Sequence, residues 1–435
     1  MTLGQEKSKS LRILEQIYAL VGLLHMIGAS EPFFLDYNSE GVSSLSTSLV
    51  TEGTLGMQIS GAIIYLIAMI LVLPRLNSIM TLLKGNKAFV LFMVLILASA
   101  LWSELPSVTL RRSVALTGTT IFAIYLALRF KPSEFMIMLA AVLAFTAIEN
   151  LLFVFLVPDV AIHQYSNFGA WKGALGHKNI MGRTMVLCIL VMWAVAPQAR
   201  SYKVLLWSII AICLVLIAMS QSRTSWIAGA GLFLAIPFLR YLQRSQIPLM
   251  ARVLFVALIG LGGLGVLVAE YADVGLQAVG RDATFTGRTE IWASAIEVGG
   301  DKPILGHGYR TFWTLGLTNR LLIGNGHNSF IDLWVELGLA GVVLFFTTMI
   351  VTGRRALQRL ARSNDRRGQW YIMYLLFMVV FGMAAQVFPD HGTIAWVLYV
   401  VITLYLTPFA VARQTEQTDI RDRRAMALGQ PSPAE

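Results

Sequence analysis

Runs of about 16 to 24 mainly apolar residues recur along almost the whole chain, and they constrain the fold more than any other feature. A bilayer interior offers backbone N–H and C=O groups no water, so each run must close its hydrogen bonds internally as a helix. About 20 residues then span a hydrocarbon core about 30 Å thick. Candidate spans lie near 12–29, 55–74, 88–103, 113–129, 134–157, 178–196, 203–221, 224–239, 252–270, 329–350, 370–388 and 393–411. They predict an all-α polytopic membrane protein of about 12 transmembrane helices. A single transmembrane domain covers 1–411, and 412–435 is a polar, disordered cytoplasmic tail. With 56% hydrophobic and 13% charged residues, the composition excludes a soluble globular protein of this length. Cys188 and Cys213 sit inside apolar runs without metal-ligand spacing and read as small hydrophobes. Lys7, Lys9 and Arg12 precede an apolar stretch with no small-residue cleavage site, which predicts a retained first helix rather than a signal peptide.

The net charge of +10 has meaning only through its distribution, and by itself it gives no sign of nucleic acid. Most Lys and Arg residues fall on alternate loops, from Lys84 and Lys87 through Lys131 and Lys203 to the cluster Arg354–Arg367, and the positive-inside rule makes that face cytoplasmic. An even number of spans puts both termini there. The segment 30–53, rich in Glu and Asp and lacking Lys and Arg, belongs to the outer face. Basic residues on that outer face run against the topological preference: Arg111, Arg112, Lys172, Lys178, Arg183, Arg223, and Arg281, Arg288, Lys302, Arg310 and Arg320 in a long loop. They either pair with outer acids and headgroups or bind an anion.

That long, partly helical loop, 271–328, lies between spans 9 and 10 and is the largest polar interruption in the chain. Within it, TGRTEIW (286–292) leads into a short amphipathic helix that Gly299 and Gly300 should stop, placing Arg288 in its first turn. Further on, GNGHNS (324–329) bends sharply before span 10 and presents His327 at the membrane surface, where a largely neutral imidazole either caps the helix or accepts a proton. Two other segments face the same side. GHKNIMGR (176–183) opens span 6 with Lys178 and Arg183 near a helix N-terminus, an arrangement that suits either an anion or an interfacial cap. SQSRTSW (220–226) is a tight turn that leaves Arg223 little loop in which to reach bulk water, so a partly dehydrated guanidinium fork suited to phosphate is expected. The glycine pattern at 260–265 fits a dinucleotide fingerprint, but it lies inside a membrane span without a preceding strand and reads as close helix packing.

SQSRT, TGRTEIW, the KPILGHG segment (302–308) and GHNS leading into WVELGLAG (334–341) occur in an order that resembles the O-antigen ligase and polymerase superfamily. GHKNIMGR is most similar to its exopolysaccharide polymerase branch. The resemblance implies a glycosyltransferase of the bacterial inner membrane, with its active site on the periplasmic face. It implies a donor glycan on undecaprenyl diphosphate, and a glycan or lipid-linked acceptor. By that resemblance, Arg223 and Arg288 bind the diphosphate and His327 is the essential histidine, while no metal, cofactor, nucleotide sugar or nucleic acid is required. Lys178, Arg183 and Arg310 are further candidates for the same anion. The bilayer and other polysaccharide assembly proteins are the remaining implied partners. Polymerisation of repeat units and ligation of a finished glycan to lipid A core both fit. A transporter of an anionic lipid is the alternative of a different class, although its charges should sit at the bilayer midplane, where only Glu15 and Glu149 are candidates.

Overall fold

The computed structural model of the chain describes residues 3–30, 54–164, 167–244, 288–315, 326–362 and 366–408. Its elements in order are α1 (Leu3–Ile27), α2 (Leu55–Val72), α3 (Leu76–Lys84), α4 (Lys87–Ala98), α5 (Pro106–Arg129), α6 (Pro132–Leu156), α7 (Lys178–Val195), α8 (Lys203–Met219), α9 (Arg223–Arg244), α10 (Arg288–Gly299), α11 (Ser329–Arg362), α12 (Arg366–Gly382) and α13 (Ile394–Tyr405). Among the described residues no strand forms, and pairing is limited to an isolated antiparallel bridge between Ile162 and Trp171. A helix falls on each of the expected runs that the described residues include. The run 252–270 lies outside them, with the 260–265 glycines, Arg281, Arg320 and the tail. Five helical stretches are long and apolar enough to cross a membrane: Ser10–Ile27, Leu55–Lys84, Pro132–Leu156, Lys178–Val195 and Ser329–Arg362.

Several boundaries differ from the apolar runs, for local reasons. The run expected to end at 74 continues to Lys84, because Pro74 interrupts the helix with a single 3-10 turn and an amphipathic α3 starts again behind it, burying Ile79 and Leu82. Pro106 in the first turn starts α5 well before the apolar run, so Arg111 and Arg112 lie inside the helix. Between α12 and α13 the expected short turn is a longer loop, 383–393. Helix α12 stops at Gly382, and Thr393 caps α13 by accepting from the backbone N–H of Trp396 at 3.4 Å.

Helices α12 and α13 are buried on nearly every side, with Trp370, Tyr374, Trp396 and Tyr399 less than 2% exposed. Their polar atoms are taken up by neighbouring helices, as an apolar interior requires. Trp396 Nε1 donates to Thr120 Oγ1 at 2.9 Å, Thr352 and Thr403 share a hydrogen bond of 3.1 Å, and Tyr399 meets Thr348.

Helix α11 is broken at Gly338, whose φ of 63° and ψ of −166° belong to a region essentially restricted to glycine. The 302–308 segment supplies what the break removes. The N–H groups of His307 and Gly308 donate to the carbonyls of Val335 and Glu336 at 3.0 and 2.9 Å. On the far side of the break, Leu339 and Ala340 donate to the carbonyls of Pro303 and Ile304 at 2.8 and 3.0 Å. A loop motif and a helix motif thus complete each other's backbone hydrogen bonds.

Candidate active site

The GHNS segment is fixed one residue at a time. Gly326 donates its N–H to Asp332 at 2.9 Å, and its carbonyl accepts from Trp292 of α10 at 2.8 Å. His327 follows with a left-handed φ of 50°, which turns the chain toward α11. Asn328 caps that helix, accepting from the N–H of Phe330 at 2.9 Å and of Ile331 at 3.3 Å. The Ser329 hydroxyl ties it to the 383–393 loop, donating to Ala385 and accepting from Val387 at 2.9 and 2.7 Å.

GHKNIMGR and SQSRTSW, 37 residues apart in sequence, pack on each other. Ser222 donates to Asn179 at 2.8 Å, and a Cβ at Gly182 would stand 2.4 Å from the Ser225 hydroxyl. Helices α7 and α9 therefore begin side by side at Lys178 and Arg223. His177 is the cap of α7, its Nδ1 accepting from the Asn179 N–H at 3.1 Å. A neutral ring in that arrangement presents Nε2–H. Burial, then His163, His327, Lys178 and Arg183, push the His177 pKa down to about 4.

Arg310 also has a left-handed φ, 58°, and is 8% exposed. Its guanidinium stands 3.4 Å from Asp390, but that Nη1 makes no hydrogen bond within the described residues. Burial alone would weaken it as a base; the opposing pull of Asp390, ahead of Tyr309 and Glu336, instead raises its pKa above the usual range. Burial raises the Asp390 carboxyl. Arg112, 7% exposed, holds this turn by donating to the Arg310 carbonyl and to Thr314 at 2.8 Å. His391, beside Asp390, is pushed down to about 3 by burial, then by Arg310, Arg112 and Arg111.

These segments enclose a cavity of about 1220 Å³. Arg111, Arg112, Arg183, Arg310, His177, His327 and His391 line it, with Asp390 as the sole acid among the described residues. Arg183 is held by donating to the Gln386 carbonyl at 3.1 Å. Met57, Leu66, Met69 and Ile121 line the apolar remainder, and Leu66 and Met69 are themselves 53% and 44% exposed. Cationic and apolar surface in one chamber suits a phosphate carried on a lipid. No group of three or more His, Cys, Asp or Glu side chains stands together among the described residues.

Of the residues singled out in the sequence, Arg111, Arg112, Arg183, Arg310 and His327 meet in this cavity. Lys178 and Arg223 sit beside it at the starts of α7 and α9. Arg223 is exposed rather than dehydrated, because Ser220, Ser222 and Ser225, all at most 1% exposed, turn inward onto α7 and leave the guanidinium outside. Arg288 is the first residue of α10, as its motif suggested. Asp390 and His391 went unread, and His177 entered only as part of the GHKNIMGR segment. The sequence signal for the first two was a polar PDHG turn (389–392) between two strongly apolar runs on the outer side. Arg310→Lys is expected to lower activity about 100-fold, because an ammonium keeps the charge but not the planar fork. Near-normal turnover of that variant in detergent would reduce Arg310 to a structural partner of Asp390.

Residues 208–346 match the family model described as O-antigen ligase. The exopolysaccharide production protein ExoQ of Rhizobium meliloti (strain 1021) is 33% identical over 186 residues. That match spans 39% of this chain and 40% of the relative, well under two thirds of its length.

Proposed function

We propose that this chain is a member of the O-antigen ligase and polymerase superfamily and a multi-pass membrane glycosyltransferase extending polysaccharide from an undecaprenyl-diphosphate-linked donor. The observation that carries this reading is the cavity itself, in which four arginines and His327 face a mainly apolar chamber. The acceptor hydroxyl oxygen attacks the anomeric carbon of the donor from the face opposite the diphosphate, inverting it. The bond from that carbon to the diphosphate oxygen breaks, and the diphosphate leaves with the electron pair. His327 takes the hydroxyl proton, and Arg183 and Arg310 meet the charge growing on the leaving group. In this scheme Arg223 at the start of α9 and Arg288 at the start of α10 receive the diphosphate from the outer leaflet. The site faces the periplasm across the bacterial inner membrane, with both termini cytoplasmic.

Exopolysaccharide polymerisation is preferred over ligation to lipid A core because the curated relative is an exopolysaccharide production protein, whereas the family model's own description supports the ligase reading. Deleting the gene separates them: single lipid-linked repeats should accumulate if the protein polymerises, and long unattached polymer if it ligates. Transport is tested in detergent, where a transporter has no substrate gradient and would not consume lipid-linked glycan. Glu15, one of two acids that transport could have used, is taken up by an ion pair with Arg129.

A further inference from the structure

A chamber of this size has to receive two substrates for glycosyl transfer, and its walls differ in chemistry. All four arginines come from α5, α7 and the turn at Arg310, whereas the described residues of α1 and α2 contribute neither Lys, Arg, Asp nor Glu to the lining. We propose that this uncharged wall, around His25 and Gln58, holds the acceptor saccharide, with Nε2 of His25 exchanging a hydrogen bond with a sugar hydroxyl. The proposal rests on the glycosyl transfer described above.

The position of His25 is built by the end of α1. Gly28 takes a left-handed φ of 89°. Its N–H donates to the His25 carbonyl, and that of Ala29 to the Leu24 carbonyl, both at 3.1 Å, the paired bonds of a glycine-closed helix end. The chain turns back so that the Ser30 hydroxyl stands 3.1 Å from His25 Nδ1, with the Ser60 hydroxyl 3.4 Å from the same nitrogen. Ser60 donates its single hydroxyl proton to the Met57 carbonyl at 3.0 Å, so toward the ring its oxygen accepts, while the closer Ser30 hydroxyl can donate to Nδ1 or accept from it. With Nδ1 engaged by these hydroxyls, Nε2 is the ring nitrogen left to meet a sugar hydroxyl, which can both donate and accept. Beside it α2 has Gly61, where a Cβ would stand only 3.3 Å from Nε2, so a side chain there would crowd the ring edge.

This wall meets the reacting end of the chamber. Thr119 donates to the Ala115 carbonyl at 2.9 Å and accepts from Tyr65 of α2 and from the N–H of Gly392, each at 2.9 Å. Gly392 directly follows His391 and Asp390. A saccharide lying along α1 and α2 therefore ends beside the arginine-lined end, where its hydroxyl can attack. Neutral donors and acceptors suit sugar hydroxyls, while a diphosphate is drawn to the arginines.

The test uses full-length protein in detergent and the undecaprenyl-diphosphate-linked repeat isolated from the deletion strain. It reads the ratio of chain extension to donor hydrolysis, together with binding of sugar-free undecaprenyl diphosphate. His25→Phe should lower that ratio about tenfold, the worth of roughly one hydrogen bond. His25→Gln, whose amide oxygen can accept from a hydroxyl, should restore most of it. Gln58→Leu, at an exposed position that should not disturb folding, should lower the ratio in the same sense. A ratio unchanged in both His25→Phe and Gln58→Leu overturns the proposal, as does an equal fall in extension and hydrolysis. Weakened binding of undecaprenyl diphosphate also overturns it, because the wall would then hold the donor. If the parent protein neither extends nor hydrolyses the donor, the glycosyltransferase reading itself fails and takes this proposal with it.

Discussion

His327→Ala is expected to lower glycan transfer about 10²- to 10⁴-fold, the range for losing a general base, while undecaprenyl diphosphate still binds. The pH profile assigns the role. His177 and His391, with pKa values pushed down to about 4 and about 3, remain neutral between roughly pH 5 and 8 and contribute no titration there. A protonated imidazole cannot take the hydroxyl proton, so with His327 as the base transfer should decline toward acid. In His327→Gln this decline should disappear, because an amide orients a hydroxyl but does not accept its proton near neutral pH. An acid decline that persists in the Gln variant belongs instead to Asp390, whose carboxyl is raised by burial and whose protonation would remove the charge facing Arg310. Near-normal turnover of His327→Gln with an unchanged profile would make His327 a positioning residue.

Gly338→Ala should cost roughly 3 to 5 kcal/mol of stability, combining strain at a backbone conformation that only glycine adopts readily with overpacking. The added Cβ would stand 2.2 Å from the Ile304 carbonyl carbon, so relief requires moving the 302–308 segment off α11. That movement would break four backbone hydrogen bonds and shift the adjoining turn that carries Arg310. Thermal unfolding in detergent should show a large fall in Tm and a loss of transfer together. Gly231→Ala on α9, where no neighbouring atom lies within 4 Å of the added Cβ, is the control and should be neutral or slightly stabilising. If the Gly338 variant melts with the parent, the break in α11 is held by something other than the 302–308 segment.

What was legible in the sequence follows from how local each cause is. A helix in an apolar medium satisfies its own backbone, so the apolar runs were enough to mark the helices. Capping is equally local: α7 begins at Lys178, α10 begins at Arg288 and stops at Gly299, and α11 begins just after His327. The motif order also brought Arg183, Arg310 and His327 forward as candidates for one site. It was silent about the pairing of Arg310 with Asp390, 80 residues beyond it, and with Arg112, 198 residues before it, because neither pairing is a property of any short segment. The break at Gly338 was equally hidden. A glycine inside an apolar run reads as a packing residue until the 302–308 segment is seen to replace the missing hydrogen bonds. Arg223 shows the same limit in reverse, since its tight turn suggested dehydration and only the inward rotation of three serines decided its exposure. Residue type and spacing determined which groups could carry charge or a proton. Tertiary packing decided which of them lost water and which faced one another, because dielectric environment and charge separation depend on neighbours from distant parts of the chain.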